Sequence, residues 1–248
     1  MQTQKRLNKR QEEVLRIVVN SHVDSAAPVG SNFVARGLGL SSATIRNVMV
    51  ELEEMGFIMH PHTSAGRVPT DKGYRYYISS LMHIKDLNAN VIDTIEGKYH
   101  SGIRSMDDAM EKTSSLISGL TRYVGITVVT QFEKVYLDGT SHILEQPEFR
   151  DFKKLYSIFK CFEDKNTILH VLCGETDDGG LAISVGRENK LAYLKDCGMV
   201  SRGYKKKGKI SGRLGVIGPK RMAYERVVPM VEFLASALSE ILDEIDGK

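Results

Sequence analysis

Leu38-Gly39-Leu40-Ser41-Ser42-Ala43-Thr44-Ile45-Arg46-Asn47-Val48-Met49-Val50-Glu51-Leu52-Glu53-Glu54-Met55-Gly56-Phe57 holds a tight turn, one helix and the stop of that helix. Ile45, Val48, Met49, Leu52 and Met55 recur at spacings of three and four, which makes them a buried stripe. At about 100° per residue, Ala43, Arg46, Asn47, Val50 and Glu54 fall on the opposite side. Ser41-Ser42 supplies the cap, since a serine oxygen can accept from the first free amides of a helix. Gly56 suits the position just past the end, with Phe57 folding back onto the last turn. The exposed N-terminal half therefore offers Ser42, Ala43, Thr44, Arg46, Asn47 and Val50. An arginine matches guanine N7 and O6, an asparagine matches adenine N6 and N7, and small methyls meet the thymine methyl. The acids Glu51, Glu53 and Glu54 are confined to the C-terminal half, away from where a recognition helix meets bases. Taken alone, the same stripe also describes a surface helix with a solvated Arg and Asn.

The flanks narrow the choice. Upstream, Asn8 and Gln11 have the spacing of a capping box, and Val14, Leu15, Val18 and Val19 give that first helix its apolar stripe. Pro28-Val29-Gly30-Ser31 breaks the chain and caps a second short helix, which is expected to bury Phe33 and Val34 and to stop near Gly37. Two short helices joined through Leu38-Gly39-Leu40 form a helix-turn-helix. Downstream, Ile58-Met59 begins a strand, and His60 to Thr70 is rich in donors and hydroxyls, lacks acids and carries Arg67 beside Gly66. That is the composition of a wing whose His62, Thr63, Ser64 and Arg67 lie along a phosphate backbone or minor groove. His60 and His62, two apart with no Cys, Asp or Glu nearby in sequence, are poor metal-ligand spacing, and no metal is expected. Thr70-Asp71 caps a helix from Lys72 to Met82.

Beyond this point the pattern loosens. Tyr74 to His100 is helical but weakly apolar, so residues 84–104 read as a connecting helix and hinge between a DNA-binding domain at 1–83 and a regulatory domain at 105–248. Ser105 caps a helix bearing Met106, Met110, Thr113, Leu116, Ile117 and Leu120 on one side. Tyr123–Thr130, Thr167–Leu172, Leu181–Gly186 and Lys209–Gly218 are strand candidates. Helices are expected at Pro147–Phe162 and Lys220–Ile245, the latter kinked by Pro229. The fold class is α+β, with an antiparallel or mixed sheet flanked by helices. Val227, Val231, Leu234, Leu238, Ile241 and Ile245 step by four and three. This stripe reads as cover for the sheet, with a coiled-coil seam as the alternative. Tyr204 to Lys209 is a basic turn between strands, read as a solvated hairpin, with an auxiliary phosphate contact as the alternative.

An apolar fraction of 42% and a charged fraction of 26% describe a globular protein rather than a disordered or membrane-embedded one. The polar start, Met1 to Arg6, lacks the apolar core of a signal peptide, which points to the cytoplasm. Cys161, Cys173 and Cys197 are widely spaced in apolar surroundings and read as reduced thiols. Residues 1–85 hold 11 Lys and Arg against 7 Asp and Glu, so the formal net charge of +3 is concentrated there. That tilt suits a polyanionic partner. No Ser-His-Asp or Cys-His arrangement, phosphate-binding glycine loop or metal cluster is present in plausible context, so neither an enzyme nor a cofactor is expected.

Leu38 to Asn47 and Pro61-His62-Thr63-Ser64-Ala65-Gly66-Arg67-Val68-Pro69-Thr70-Asp71-Lys72-Gly73-Tyr74-Arg75 resemble the HrcA family of heat-inducible transcription repressors. The likeness continues through Gly139-Thr140-Ser141 with Gln146-Pro147-Glu148-Phe149, Ser184-Val185-Gly186-Arg187-Glu188-Asn189 and Gly215 to Met222, in order along the chain. The resemblance implies a dimeric repressor of an inverted-repeat operator upstream of chaperone operons. It also implies a winged-helix N-domain, a GAF-like C-domain and activity dependent on the GroE chaperonin. One departure is plain: the family's long segment before the landmark at Val135-Tyr136-Leu137, with its dimerisation region, is reduced to residues 131–134. The GAF-like α/β domain is thus expected in reduced form, and its usual dimer contact absent or rebuilt. The alternative is a winged-helix regulator of other genes that senses a small ligand through the GAF-like domain.

Overall fold

The computed structural model describes residues 6–62, 65–99, 103–174, 179–189 and 191–245. Two compact units divide the chain, residues 1–83 and 84–248.

The first unit is built from local signals, and its caps resolve as hydrogen bonds except at α2, whose N-cap is Gly30 and which has no side-chain cap bond. Helix α1 (Lys9–Ser25) starts at Asn8, whose side chain accepts from Gln11 N while Gln11 answers back to Asn8 N. Helix α2 (Ser31–Leu38) ends on Gly39 in the left-handed region, and α3 (Ser42–Glu54) starts at Ser41, which accepts from Thr44 N at 3.1 Å. α3 closes as a Schellman motif: Phe57 N donates to Leu52 O and Gly56 N to Glu53 O, with Gly56 at φ +76°. Val14, Leu15, Val18, Val19, Val34, Ile45 and Leu52 are fully buried and form the three-helix core. Phe33 is not among them: it is 49% exposed, and α2 buries Val34 and Ala35 instead. An eight-residue helix has little more than two turns, so only one narrow side can face the core.

Strands β1 (Ile58–Met59) and β2 (Val68–Pro69) pair antiparallel, and Val29 adds a third rung by exchanging both backbone hydrogen bonds with Arg67. Thr70 then caps α4 (Asp71–Tyr76), which continues as a π-helical turn over Tyr77–Leu81.

In the second unit, α5 (Ala89–Tyr99) and α6 (Met106–Thr121) precede a five-stranded antiparallel sheet. Its strands are β3 (Val124–Val129), β4 (Lys134–Asp138), β5 (Ala182–Val185), β6 (Cys197–Lys206) and β7 (Lys209–Pro219), in the order β4-β3-β7-β6-β5. Between β4 and β5 come α7 (His142–Glu145), α8 (Phe152–Glu163) and α9 (Lys165–Cys173), and α10 (Tyr224–Ile245) ends the chain. Period-two alternation sorts the two faces. Val124, Ile126, Val128, Met199 and Ile217 pack against α8 and α9 through Ile158, Cys161, Phe162, Ile168 and Leu172. Gly125 and Thr127 face α6, where Ser114 Oγ donates to Thr127 Oγ1 at 2.9 Å. α10 lies on that second face beside β6 and α6. Its stripe Val227, Val231, Leu234 and Leu238 is buried within the single chain, so it covers the sheet.

Three sequence expectations change. Thr167–Leu172 is the body of α9 and not a strand, because Asp164 caps it by accepting from Asn166 N and Thr167 N and because Ile168 and Leu172 bury at a spacing of four. β4 goes unmarked by its composition and forms an edge, joined to β3 by the short turn Thr130–Phe132 with Glu133 at φ +50°. Residues 131–134 therefore make a tight hairpin. Pro229 lies inside α10, and the carbonyl it leaves without a helical donor, that of Glu225, accepts from Lys85 N at 3.3 Å instead. The Lys85 ammonium also pairs with the Glu225 carboxylate at 2.8 Å. Residues 84–99 are thus docked into the second unit: Ile95 and Tyr99 are buried, and Tyr99 Oη lies 2.6 Å from Thr113 Oγ1 on α6. The basic turn at Lys207-Gly208 has both residues at positive φ, the geometry of a tight hairpin. All three cysteines are free, and burial together with Asp164 pushes the Cys161 thiol up to about 11.

Candidate nucleic-acid interface

The exposed side of α3 is set by how the rest of the helix is held. Ile45, Val48, Met49 and Leu52 lock its inner face, and Gln11 of α1 donates to Glu51 at 2.8 Å, fixing its rotation against α1. What remains outward at the N-terminal end is Ala43, Thr44, Arg46, Asn47 and Val50, with Val50 41% exposed. Among the described residues Arg46 and Asn47 have no ion-pair or side-chain hydrogen-bond partner, so both heads are available to a ligand. Ser42 is half-buried, its hydroxyl 3.0 Å from Ser31 Oγ at the start of α2. The Thr44 hydroxyl shares the cap with Ser41 at 2.8 Å. Ser42 and Thr44 thus shape the helix start, while Arg46, Asn47, Ala43 and Val50 form the face.

The wing is tied back to the same helix. His60, at the end of β1, donates its backbone N–H to Glu53 Oε1 at 3.2 Å and places Nδ1 2.8 Å from the same oxygen. Arg67 reaches Glu53 Oε2 at 2.9 Å and the His60 ring as well, leaving its side chain 12% exposed. Burial alone would raise the Glu53 carboxyl, but the hydrogen bond from His60 and the Arg67 charge outweigh it and hold the group below the usual carboxylate range. The guanidinium is therefore turned inward at the wing root. His62 is exposed and closes a turn by accepting from Ala65 N at 3.0 Å. Thr63 and Ser64 lie outside the described residues. Gly66 is required by proximity, since a Cβ there would stand 2.5 Å from the Val29 carbonyl.

Between α3 and the wing lies a half-open cleft of about 370 Å³. Ser31 and Asn32 at the start of α2, Arg46, His60 and Arg67 line it, with no acid among its lining residues. Sequence reasoning assigns Ser31, Asn32 and Glu53 no place in the cleft or the wing. The first two have a signal, the break at Pro28–Ser31. Glu53 has none, because its partners become neighbours only once the chain reverses at Gly56.

A helix-turn-helix whose recognition helix is acid-free over the N-terminal half of its outer face, flanked by a donor-rich wing, defines a winged-helix DNA-binding transcription regulator. Comparison with known proteins gives the family. Residues 6–81 match the model of the winged helix-turn-helix transcription repressor, HrcA DNA-binding, and residues 127–228 match that of the HrcA protein C-terminal domain. Heat-inducible transcription repressors HrcA from Desulfitobacterium hafniense and Symbiobacterium thermophilum are each 29% identical, over 95% of this chain and 98% of each relative. The chain belongs to the HrcA family of transcription repressors, and it is a DNA-binding regulator rather than an enzyme. Those alignments run to 339 and 336 positions against 248 residues here, so each relative carries internal positions without counterpart in this chain. The crystal structure of a hypothetical protein shares the fold at a TM-score of 0.80 and 22% identity, covering 97% of this chain and 100% of that one. No helix among the described residues is long and apolar enough to cross a membrane.

Proposed function

We propose that this repressor acts in the cytoplasm on an inverted-repeat operator upstream of heat-shock chaperone operons, as a homodimer modulated by the GroE chaperonin. The observation that carries the reading is the acid-free N-terminal half of the outer face of α3, with Arg46 and Asn47 unengaged. In this reading Ser42, Ala43, Thr44, Arg46, Asn47 and Val50 enter the major groove. The wing, with His62, Thr63 and Ser64, follows the adjacent backbone, and Arg67 holds its root. The family's heat-inducible repressors and the resemblance along the chain support the chaperone operon and GroE. Two copies follow from energetics: one unit with few cations binds weakly and in a salt-dependent way, whereas operator affinity of about 10⁻⁸ M or better needs two half-sites.

The deciding experiment is a gel shift on the palindromic fragment upstream of the chaperonin operon, with and without GroE, beside sedimentation of the free protein. Specific retardation strengthened by GroE, with a dimer in solution, is the expected result. A monomer that retards all fragments alike would sink the reading. On the same fragment Arg46→Ala should cost about 1–3 kcal/mol and relax selectivity at one base pair, which a panel of single-base operator variants measures. An unchanged affinity would remove Arg46 from the reading face.

A second reading, a regulator of other genes that senses a small ligand, draws on a cavity of about 180 Å³ in the second unit. Leu172, Ile183, Met199, Ser184 and Asn189 are among its lining residues. A thermal shift with a metabolite but none with GroE would favour it.

A further inference from the structure

Glu53 stands on the recognition helix of a DNA-binding unit, where a carboxylate ordinarily repels phosphate. Its neighbour Glu54 is exposed and without a partner among the described residues. Glu53 is engaged on both oxygens: Oε1 takes the backbone N–H of His60 and lies against its ring, and Oε2 takes Arg67. Arg67 closes the triangle by reaching the His60 ring, and its backbone is bonded in both directions to Val29, which leads into α2. Four pieces meet here: α3, the outgoing strand of the wing, its returning strand, and the segment before α2. The ionisable groups facing Glu53 are His60 and Arg67, with Arg46 on the far side of the same cleft.

We propose that Glu53 is a positioning residue for DNA binding: with His60 it clamps Arg67 and thereby sets the height and angle of the wing beside α3. Arg67 acts through this brace, its cationic head spent on Glu53 rather than on phosphate. The inference rests on the reading that the winged unit grips DNA, and it reverses the sign expected for an acid at such a surface. Removing a merely repulsive carboxylate, or one that holds an arginine back from phosphate, tightens binding. Removing the brace loosens it, because a glutamine amide in place of the carboxylate would set an N–H donor against an N–H of His60 or of Arg67.

The test is operator affinity at fixed salt, by fluorescence anisotropy, for the full chain and for Glu53→Gln, Glu54→Gln, Arg67→Gln and the double variant that combines Glu53→Gln with Arg67→Gln. Circular dichroism confirms that each is folded. Glu53→Gln should bind about tenfold more weakly despite the lost negative charge. Glu54→Gln should bind equally well or slightly better, and the double variant no worse than the weaker single one, as partners in one clamp are non-additive. Equal or tighter binding by Glu53→Gln overturns the brace while leaving the DNA-binding reading intact. A parent protein that binds neither operator nor unrelated DNA overturns both. If Glu53→Gln fails to fold, the non-additivity is read from Arg67→Gln and His60→Gln instead, and strictly additive losses refute the clamp.

Discussion

Asn189→Asp, an exchange of one amide for an oxygen of the same size, should destabilise the second unit by about 3 kcal/mol at neutral pH. The Asn189 amide nitrogen points at three backbone carbonyls, Gly186 O at 3.0 Å, Leu194 O at 3.0 Å and Cys197 O at 2.9 Å. Its oxygen accepts from Ser184 Oγ at 2.5 Å, and the residue is 7% exposed. One side chain thus joins the end of β5, the turn that follows it, the turn at Ala192–Leu194 and the first residue of β6. A carboxylate offers lone pairs where the amide offers donors, so three carbonyls would face an anion inside the fold. Asn189→Ala removes the donors without adding the charge and should cost less than the aspartate. That order separates a polar network from simple packing, which would rank the truncation worse. Because burial among carbonyls favours the neutral acid, the aspartate variant's folded pKa would lie above its unfolded one. Its deficit should therefore shrink on acidification through that range. Urea unfolding followed by circular dichroism reads both effects, the chain having no tryptophan. Parent-like unfolding of the aspartate variant would show that these hydrogen bonds carry no stability.

Asn189 also shows where sequence stops informing. Ser184 to Asn189 is a landmark of the family resemblance with no physical reason attached in the sequence, because its three acceptors lie up to eight residues away across two turns. The first unit is far more legible. Its caps at Asn8, Ser41 and Thr70 and its stop at Gly56-Phe57 are decided within four or five residues, and each falls where the sequence places it. The same locality explains the errors. Thr167–Leu172 is rich in residues that suit strands, but Asp164 just upstream makes a helix start, and a reading by composition passes over the cap. Phe33 suggests itself for the core by being apolar, although packing selects a side of the helix before it selects a residue type. The outer face of α3 can be read because helix periodicity alone defines it. The Glu53–His60–Arg67 clamp cannot, since it depends on two strands returning beside the helix they follow.

The largest effect in the first unit is expected at Gly73, and it arises from distance rather than from backbone freedom. A Cβ on Gly73 would lie 2.1 Å from the Phe57 carbonyl oxygen. That oxygen cannot give way cheaply: it accepts from Thr70 N at 3.0 Å and from Thr70 Oγ1 at 3.2 Å. Phe57 is itself fixed at its amide by Leu52 O, and at its buried ring by Lys72 above and the edge of Tyr76. Moving the carbonyl would loosen the stop of α3 and the cap of α4 together, and those two ends fix the base of the wing. Gly73→Ala should cost about 3 kcal/mol, the upper range for overpacking, because backbone rather than a flexible side chain stands in the way. Against the roughly 5–15 kcal/mol of a whole domain, that leaves the unit folded but lowers its melting midpoint by about 12–24 °C, and the displaced wing base weakens operator binding. Lys72→Ala, one position away, gives up an exposed contact to the Met55 carbonyl and the ammonium over the Phe57 ring and should cost about 1 kcal/mol, well short of the glycine variant. Retained operator binding and an unshifted melt in the alanine variant of Gly73 would mean that α4 can move off Phe57, and that the wing does not take its place from this contact.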